Sequence, residues 1–372
     1  MDLKNKRIIF ASDYFAPYEG NFIYSLRNLE KSLSDYGCII LYVFPNNVSS
    51  RIWFKPFSMS HLVALTGINR TKDFYKIVED FEPDIIHTHF EGFDIASSIA
   101  RDEYKNKYGK DIHLIWHMHD HLSYHHNMIK RLYQHYCFFK HYNIMAKSVN
   151  VIAVCDHELQ FATNYKRLLG GDFTSKEVIP NGINTERISI SFNREMHQPF
   201  TFIAFWGRLS AKRCDLLLLA TKKLLNKGYN IHVLLTRSSN IDEYCKRYGY
   251  DSVDWLTVID PQDDINEIFS KADCFVSTSV GETFSYGICE ASIFGLPVIQ
   301  SDIEGTMWNK NNPSTFVFKS LDIDDLAKCM IRVISMDHNE IMQRCEITSL
   351  NNVRDYSINA WTKKVLLFYQ NL

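Results

Sequence analysis

The stretch DCFVSTSVGETFSYGICEASIFGLP, residues 273–297, decides the fold of this 372-residue chain. Its apolar beginning predicts a β-strand, and the segment after the following loop predicts a short helix. We expect that helix to stop at Gly295, because a glycine with a proline such as Pro297 just beyond is a common helix ending. Glu282 lies in the loop and Glu290 in the helix. The stretch therefore predicts a strand–loop–helix unit with two carboxylates at its loop end.

The same alternation of strands and helices runs through the chain twice. Short apolar runs predict strands, and period-3.6 apolar patterns between several of them predict helices. Such alternation is typical of parallel sheets with helices on both faces. We therefore expect an α/β protein with two doubly wound, Rossmann-like domains that face a cleft. The candidate strands are 7–12, 38–44, 84–88, 112–118, 150–155, 202–206, 230–236, 255–259, 273–278 and 297–300, and candidate helices include 21–36, 214–227 and 322–335.

Domain boundaries follow from the point at which the alternation restarts. A length of 372 residues suggests two domains. The first set of elements ends near Pro180-Asn181-Gly182, so we expect an N-terminal domain over 1–183. The polar, irregular segment 184–200 predicts a linker, and a second domain follows over 201–355.

Composition excludes several classes of protein. The formal net charge is −2, which gives no global basic excess for a nucleic-acid partner. Nine cysteines are scattered without a CxxC pair, which favours a reduced cytosolic protein over a disulfide framework. No apolar run reaches the roughly 18 residues of a membrane span, and the N-terminus does not resemble a signal peptide. We therefore expect a cytoplasmic protein.

Nucleotide-binding loops of the usual kinds are missing. The turn after the first predicted strand, SDYFAPYEGN over 12–21, lacks the G-x-G-x-x-G fingerprint of dinucleotide dehydrogenases, and the chain contains no P-loop. The first strand of the second domain is followed by a lone Gly207. These features argue against the common NAD and ATP sites.

The start of the short helix predicts an anion site. Backbone amides around Phe284 to Tyr286 suit a phosphate, because amides at a helix N-terminus point outward and carry partial positive charge. Glu282 lies just before them and can reach hydroxyls of the same ligand. Glu290 lies a turn or more inside the helix, where its carboxylate can accept hydrogen bonds from a diol such as ribose. A sugar, a diphosphate and a ribose present their groups in that order.

Two glutamates separated by seven residues and followed by A-x-x-x-G-x-P-V resemble the signature of the family-four retaining glycosyltransferases. That family has the GT-B fold and uses nucleotide-sugar donors. The alternative is a surface loop and a core helix in which Glu290 is merely solvated. The preceding strand, the Gly-Leu-Pro-Val ending and the position in the second domain favour the family.

A second segment, FWGRLSAKRCD over 205–215, resembles the G-R-L…K motif of the same family. The resemblance implies that Arg208 and a following cation hold the donor diphosphate. Without a metal, a leaving diphosphate needs fixed positive charges. The spacing is one residue shorter than in the family, so either Lys212 or Arg213 fills this role, and we favour Lys212.

The resemblance implies a complete donor site and shows where this chain departs from the family. Gly20 stands where relatives often have a Gly-Gly pair, and Asn21 replaces the second glycine. Ser285 occupies a place usually held by glycine, and Trp308 stands at a usually acidic position. The implied donor-binding residues are Gly20, Arg208, Lys212, Arg213, Glu282, Thr283, Phe284, Ser285 and Glu290, and the implied catalytic residues are Arg208, Lys212, Glu282 and His119.

Histidines end two predicted strands of the first domain. His87 and His89 end one, and His117, His119 and His121 continue the other on one side of the strand, because alternate residues share a face. In relatives the residue matching His119 lies near the donor sugar. His89, His117 and Asp120 are candidates for the acceptor side. Core or surface histidines are the plain alternative. A transition-metal site is another, but no cysteine or carboxylate spacing completes a ligand set.

The resemblance implies transfer of a sugar from a nucleoside diphosphate donor, most commonly UDP, to a hydroxyl with retention of configuration. We expect the acceptor to be a glycan or a lipid-linked molecule in the assembly of a surface polysaccharide or glycolipid. No metal and no other cofactor is expected. One alternative is an inverting transferase with His119 or Asp120 as general base. Another is a non-catalytic nucleotide-sugar-binding protein.

Two basic segments rich in aromatic residues, 121–148 and 51–57, lie in the predicted acceptor domain. Such surfaces suit the cytoplasmic face of an anionic membrane, so we expect peripheral binding at the inner face of the cell membrane. The alternative is a core helix with a solvated basic face. The C-terminal segment 356–372 resembles the final helix of the family fold, which crosses back to the first domain.

Overall fold

A computed structural model gives the fold of the protein. It describes residues 1–57, 59–64, 70–119, 122, 132, 135–136, 138–207, 209–238, 240–262 and 264–372. The chain divides into two compact units: Met1–Gly182 together with Ile358–Leu372, and Ile183–Ser357. These boundaries lie next to the positions, 183 and 356, at which the sequence places the ends of the first domain.

The first unit is built on a parallel sheet of seven strands in the order β3-β2-β1-β4-β5-β6-β7. Its strands are β1 Arg7–Ser12, β2 Ile39–Pro45, β3 Ser60–Val63, β4 Ile85–His89, β5 His113–Met118, β6 Asn150–Ala153 and β7 Ser175–Val178. Its helices are α1 Gly20–Ser34, α2 Arg70–Phe81, α3 Asp94–Tyr108, α4 Tyr142–Ala146 and α5 Asp156–Leu168, with single 3₁₀ turns at Asn46–Val48 and Ile52–Phe54. The central strand β1 is buried on both faces, as expected for a parallel sheet covered by helices.

The second unit is built on a parallel sheet of six strands in the order β10-β9-β8-β11-β12-β13. Its strands are β8 Phe200–Ala204, β9 Ile231–Thr236, β10 Leu256–Ile259, β11 Cys274–Ser277, β12 Val298–Ser301 and β13 Thr315–Phe318. Its helices are α6 Leu209–Lys212, α7 Asp215–Leu225, α8 Ile241–Tyr248, α9 Ile265–Phe269, α10 Tyr286–Phe294, α11 Ile323–Ile334 and α12 His338–Tyr356, with 3₁₀ turns at Thr185–Arg187 and Glu304–Asn309. The predicted pair of doubly wound α/β domains is confirmed.

The decisive stretch folds as a strand, a loop and a helix. β11 is fully buried, and α10 ends at Gly295, whose φ is +106°. A Cβ at Gly295 would lie 2.8 Å from the carbonyl oxygen of Ser191. Glycine is therefore required here both by the backbone conformation and by the close passage of another segment.

The segment that passes Gly295 is the predicted linker 184–200, and it is anchored on the second unit. The Arg194 guanidinium donates to the carbonyl oxygen of Ala272 at 2.6 Å. The buried Asp273 carboxylate accepts from the backbone amide of Thr201 at 2.7 Å and lies 2.8 Å from the His197 ring. These contacts fix the segment against the start of β11.

The C-terminal helix, α13 Ile358–Gln370, belongs to the first unit and packs against α1. Asn28 on α1 donates to the Thr362 hydroxyl at 2.9 Å, and Trp361 and Phe368 are buried in the core beside β1. In the ranges that the structure describes, no helix is both long and apolar enough to cross a membrane.

Candidate functional site

A cavity of about 300 Å³ lies in the second unit, beyond the carboxyl ends of β8 and β11. The strand order reverses between these two neighbours, and ligands of open parallel sheets bind at such a switch point. The cavity is lined by Phe205, Trp206, Lys212, Cys214, Phe275, Val276, Ser277, Thr278, Ser279, Glu282, Phe284, Ser285, Tyr286, Gly287 and Glu290. We call it the donor cavity, because five of the predicted donor-site residues line it.

Lys212 reaches the donor cavity from the end of α6. Its carbonyl oxygen accepts from the Thr278 hydroxyl at 2.8 Å, and the amide of Val280 donates to the carbonyl oxygen of Ala211 at 2.8 Å. A Cβ at Gly207 would lie 2.9 Å from the Lys212 side chain. The loop after β11 and the absent side chain at Gly207 therefore set the path of this lysine.

Arg213 does not line the donor cavity. Its φ is +46°, a left-handed backbone conformation that is uncommon for a residue other than glycine. The guanidinium makes two hydrogen bonds of 2.9 Å to the two carboxylate oxygens of Asp215. This bidentate contact raises the pKa of the Arg213 guanidinium. Of the two cations between which the sequence leaves a choice, Lys212 is the one at the cavity.

Glu282 lies opposite Lys212, and the two side chains form an ion pair. Lys212 Nζ and the Ser279 hydroxyl donate to the same carboxylate oxygen, Oε1, the latter at 2.8 Å. The carbonyl group of Glu282 lies against Gly305, where a Cβ would overlap its oxygen. The structure thus brings two predicted donor ligands together and adds Ser279 to them.

Helix α10 begins at the wall of the donor cavity. Ser285 is its N-cap residue and makes no side-chain capping hydrogen bond. A Cβ at Gly287 would lie 3.0 Å from the rings of Phe205 and Phe275, so this glycine lets the helix start close to the strand ends. Glu290 lies in the second turn and lines the cavity. The arrangement has the order that the sequence predicts: Glu282, helix start, Glu290.

Trp308 supports one wall of the donor cavity. Its ring stacks on that of Phe284, with centroids 4.9 Å apart and planes at 20°, and meets Tyr356 edge-on at 4.6 Å. An aromatic cluster therefore stands where the family resemblance implies an acidic side chain. Tyr356, at the end of α12, carries no sequence signal for this contact.

The other predicted donor residues are placed differently. Thr283 follows Glu282 in the loop but does not line the cavity. Gly20 lies in the first unit with φ +60°, at the start of α1, and a Cβ there would lie 2.7 Å from the Tyr14 hydroxyl. Arg208 lies outside the described residues.

In the first unit, predicted histidines on β4, on β5 and directly after β5 form a buried cluster, which we call the histidine ladder: His87, His89, His117 and His119. His87 Nε2 lies 3.1 Å from His117 Nδ1, and His89 Nδ1 lies 3.0 Å from His119 Nε2. The Tyr369 hydroxyl of α13 lies 2.6 Å from His87 Nδ1. Burial lowers the pKa of all four imidazoles, that of His119 to about 3. The ladder is therefore neutral at neutral pH.

His119 is poorly suited to the role of general base in the inverting alternative. Its Nε2 lies 3.0 Å from His89 Nδ1, and its ring also forms a hydrogen bond with the Asn181 side chain. Burial lowers its pKa to about 3, which leaves little affinity for a proton at neutral pH. Asp120 and His121 lie outside the described residues, as does most of 121–137.

The metal alternative can be examined from the same geometry. One ring nitrogen each from His87, His89 and His117 lies within 4.8 Å of the other two. However, the rings of His87 and His89 stack face to face with centroids 4.2 Å apart, so their in-plane lone pairs run side by side. Four of the eight ring nitrogens are engaged with one another and a fifth with Tyr369, which favours the hydrogen-bonded ladder. Among the described residues, His89 Nε2 and His117 Nε2 are buried without a hydrogen-bond partner. The absence of a metal remains a prediction.

Sequence reasoning did not select several residues at the donor cavity. Thr278 and Ser279 directly follow β11, and polar side chains just beyond a buried strand are a usable signal. Phe205 and Trp206 follow β8 in the same way and supply apolar walls.

Comparison with known families follows the same division of the chain. A glycosyltransferase family 4 profile matches residues 41–187, and a glycosyl transferases group 1 profile matches residues 201–336. The chain belongs to the GT-B glycosyltransferases. The resemblance inferred from Glu282, Glu290 and the 205–215 segment is confirmed.

Several solved structures share the fold of this chain over nearly its full length. Sucrose-phosphate synthase from Thermosynechococcus elongatus is 16% identical, with 98% of each chain covered and a TM-score of 0.76. HepE from Anabaena, in complex with UDP-glucose, is 15% identical over 99% of this chain and 100% of HepE, with a TM-score of 0.75. The lipopolysaccharide outer core galactosyltransferase WaaB is 16% identical over 98% of this chain and 100% of WaaB, with a TM-score of 0.71. No curated protein sequence matches the chain significantly.

Proposed function

We propose that this GT-B glycosyltransferase moves a sugar from UDP, without a metal ion, to a hydroxyl group, with retention of configuration. The observation that carries the proposal is the donor cavity at the switch point of the second sheet, where Lys212, Glu282 and Glu290 meet at a helix start. HepE, which has the same fold, has been solved with UDP-glucose bound.

The chemistry follows from the groups at the cavity. Lys212 stabilises the negative charge that develops on the leaving diphosphate, and the family resemblance implies that Arg208 adds a second positive charge. The start of α10 offers backbone amides to the same group. The carboxylates of Glu282 and Glu290 accept hydrogen bonds from hydroxyls of the donor sugar and of the ribose.

Retention is favoured because no side chain is needed as a base. The leaving diphosphate can take the acceptor proton on the face from which it departs. The engaged ring of His119 supports this route over an inverting one in which His119 is the base.

For the acceptor, we propose a glycan or a lipid-linked molecule in the assembly of a surface polysaccharide or glycolipid. WaaB, a fold relative, is a lipopolysaccharide core galactosyltransferase. We further propose that the protein binds peripherally at the inner face of the cell membrane to reach such an acceptor.

The first prediction tests the donor chemistry. Replacing Lys212 with methionine keeps the stem and removes the charge, so we expect kcat to fall about 100- to 1,000-fold. UDP release from a panel of UDP-sugars, with acceptor glycans present and EDTA added, measures the effect. NMR of the anomeric centre of the product reports retention or inversion.

Lys222→Met is a matched control, because Lys222 is exposed on α7 and does not line the donor cavity. We expect it to keep wild-type turnover. Near-wild-type turnover in Lys212→Met would refute the role given to Lys212. UDP binding without turnover on any acceptor would instead favour the non-catalytic alternative.

A further inference from the structure

We propose that Glu282 makes the donor cavity selective for an intact nucleotide-sugar over the free nucleoside diphosphate, by holding Lys212 in an ion pair until a ligand satisfies both side chains. This inference rests on the proposed function and deepens it. The proposed function gives each side chain its own part of the donor, and this inference adds that the Lys212 ammonium and the Glu282 carboxylate compete with that donor by binding each other.

The coupling is visible in how the hydrogen bonds of Glu282 are distributed. Lys212 and Ser279 both donate to Oε1 of its carboxylate. The Glu282 side chain is 13% exposed and that of Lys212 is 40% exposed, so the ion pair lies at the cavity wall and is partly shielded from water. A charge-assisted hydrogen bond in such a place is stronger than one on an open surface.

Contacts to the backbone of Lys212 and to the backbone of Glu282 fix the positions from which the two side chains extend. Lys212 is tied to the loop after β11 by the hydroxyl of Thr278, which donates to its carbonyl oxygen at 2.8 Å. Glu282 is held from the other side by the close approach of Gly305 to its carbonyl group. The two backbones therefore place the side chains where they pair, and an anion that approaches Lys212 competes with the Glu282 carboxylate for the charge and the N–H donors of the ammonium.

A free diphosphate and a nucleotide-sugar differ in the hydrogen-bonding groups that they offer to Lys212 and Glu282 when they weaken the ion pair. A free diphosphate gives Lys212 an anionic oxygen but leaves the Glu282 carboxylate charged beside it, with Ser279 as its donor. An intact donor also gives Glu282 sugar hydroxyls. Arg213 cannot replace Lys212 at Glu282, because its guanidinium is held by both oxygens of Asp215.

The same coupling favours product release. After the sugar has been transferred, Glu282 loses its hydroxyl donors and competes again for Lys212. The Lys212 and Glu282 side chains are either paired or separated, and a ligand shifts this equilibrium only as far as it binds one arrangement better than the other. Free UDP favours the separated arrangement less than the nucleotide-sugar does, because it offers no sugar hydroxyls to Glu282. Glu282 is thus a specificity-determining residue as well as a sugar contact.

The test compares UDP, a UDP-sugar and uridine as ligands of the full-length protein by calorimetry. Glu282→Gln keeps the shape of the side chain and removes its charge. We expect UDP to bind about five-fold tighter to this variant, equivalent to about 1 kcal/mol, and the preference for the UDP-sugar over UDP to shrink. Uridine carries no phosphate, so its affinity is expected to stay unchanged.

Simple repulsion between Glu282 and the diphosphate would also tighten UDP binding in Glu282→Gln. The Lys212→Met background separates the two causes, because repulsion persists without Lys212 and the ion pair does not. Ligand-observed NMR at millimolar UDP measures affinity there. We expect Glu282→Gln to tighten UDP binding less in the Lys212→Met background than in the wild-type protein.

Two results would overturn the proposal: unchanged or weaker UDP binding in Glu282→Gln, or the same gain in both backgrounds. If wild-type protein binds neither UDP nor any UDP-sugar, the proposed function itself fails. Thermal melting of each variant shows whether it is folded.

Discussion

Two glycines beside the donor cavity leave room for groups that shape it. At Gly207 a Cβ would lie 2.9 Å from the Lys212 side chain, and at Gly305 it would overlap the carbonyl oxygen of Glu282. Neither residue has a left-handed backbone, so each is needed for space rather than for conformation. Sequence alone does not predict this requirement, because it depends on which segments approach one another in the folded chain.

Gly305 allows a direct test at the residue scale. In Gly305→Ala the added methyl group must push the loop that carries Glu282 away, because the contact is with backbone and not with a flexible side chain. A misplacement of about 1 Å can cost on the order of 100-fold in rate. We therefore expect kcat/KM for the UDP-sugar to fall by at least about ten-fold, as measured by UDP release.

Gly171→Ala is the matched control. The nearest atom to a Cβ there is the end of the flexible Lys166 side chain at 3.6 Å, and the backbone is not left-handed. It is expected to keep wild-type turnover. Full activity in Gly305→Ala would show that the loop does not need its present position.

At the scale of elements, the strands that the sequence did not predict all lie at sheet edges: β3, β7 and β13. A short edge strand has one neighbour and is less buried than a central strand, so it lacks the continuous apolar run that marks a central strand. β3 has two exposed residues of four, and β7 has two as well. The ten predicted strands all match observed ones within two residues at either end.

The candidate site was predictable to the extent that it follows strand ends. Glu282 follows β11 and Glu290 lies on the next helix, so the strand–loop–helix reading places both at one edge of the sheet. The choice between Lys212 and Arg213 was not predictable, because it depends on a φ of +46° at Arg213 and on Asp215 two residues later. The pairing of Lys212 with Glu282 joins residues 70 positions apart and needs the folded loop.

The histidine ladder makes the stability of the first unit, which contains β4 and β5, depend on pH. Each buried imidazole has a folded-state pKa below that of the unfolded chain, so below about pH 6.5 the unfolded state binds protons that the folded state does not. Stability therefore falls as pH falls. Each such histidine contributes about 1.4 kcal/mol per pH unit. For His119 the loss continues down to its folded pKa of about 3.

The free energy of unfolding falls with falling pH, and we predict that His117→Asn makes this fall less steep by about one proton, or about 1.4 kcal/mol per pH unit. The measurement is the free energy of unfolding of the first unit between about pH 6 and pH 4.5, where the unfolded histidine is largely protonated, from urea denaturation followed by hydrogen exchange at β4 and β5 amides. His61→Asn is the control, because His61 is exposed on β3. An unchanged slope in His117→Asn would mean that the imidazole is protonated in the folded state.

At the scale of the whole molecule, a net charge of −2 means that any attraction to an anionic membrane must be local. The first unit offers one candidate patch on its described surface. Phe15, Tyr18 and Ile52 are 61%, 67% and 81% exposed. The Arg51 guanidinium donates to the carbonyl oxygen of Phe15 at 3.5 Å, and Lys55 is exposed on the same segment as Ile52. Apolar side chains beside basic ones suit a membrane interface.

The proposed peripheral binding predicts that the protein floats with vesicles of phosphatidylglycerol at low salt and not with phosphatidylcholine vesicles, because the basic side chains need anionic headgroups. Ile52→Ser removes the most exposed apolar side chain of the patch and is expected to lower partitioning about three- to ten-fold. Ile347→Ser is the control, because Ile347 is 50% exposed on α12 of the second unit. No flotation at low salt, or an equal loss in both variants, would remove this patch as a membrane contact. Turnover on a short soluble acceptor should stay unchanged in Ile52→Ser, since the Ile52 side chain is exposed, packs in no core and does not line the donor cavity.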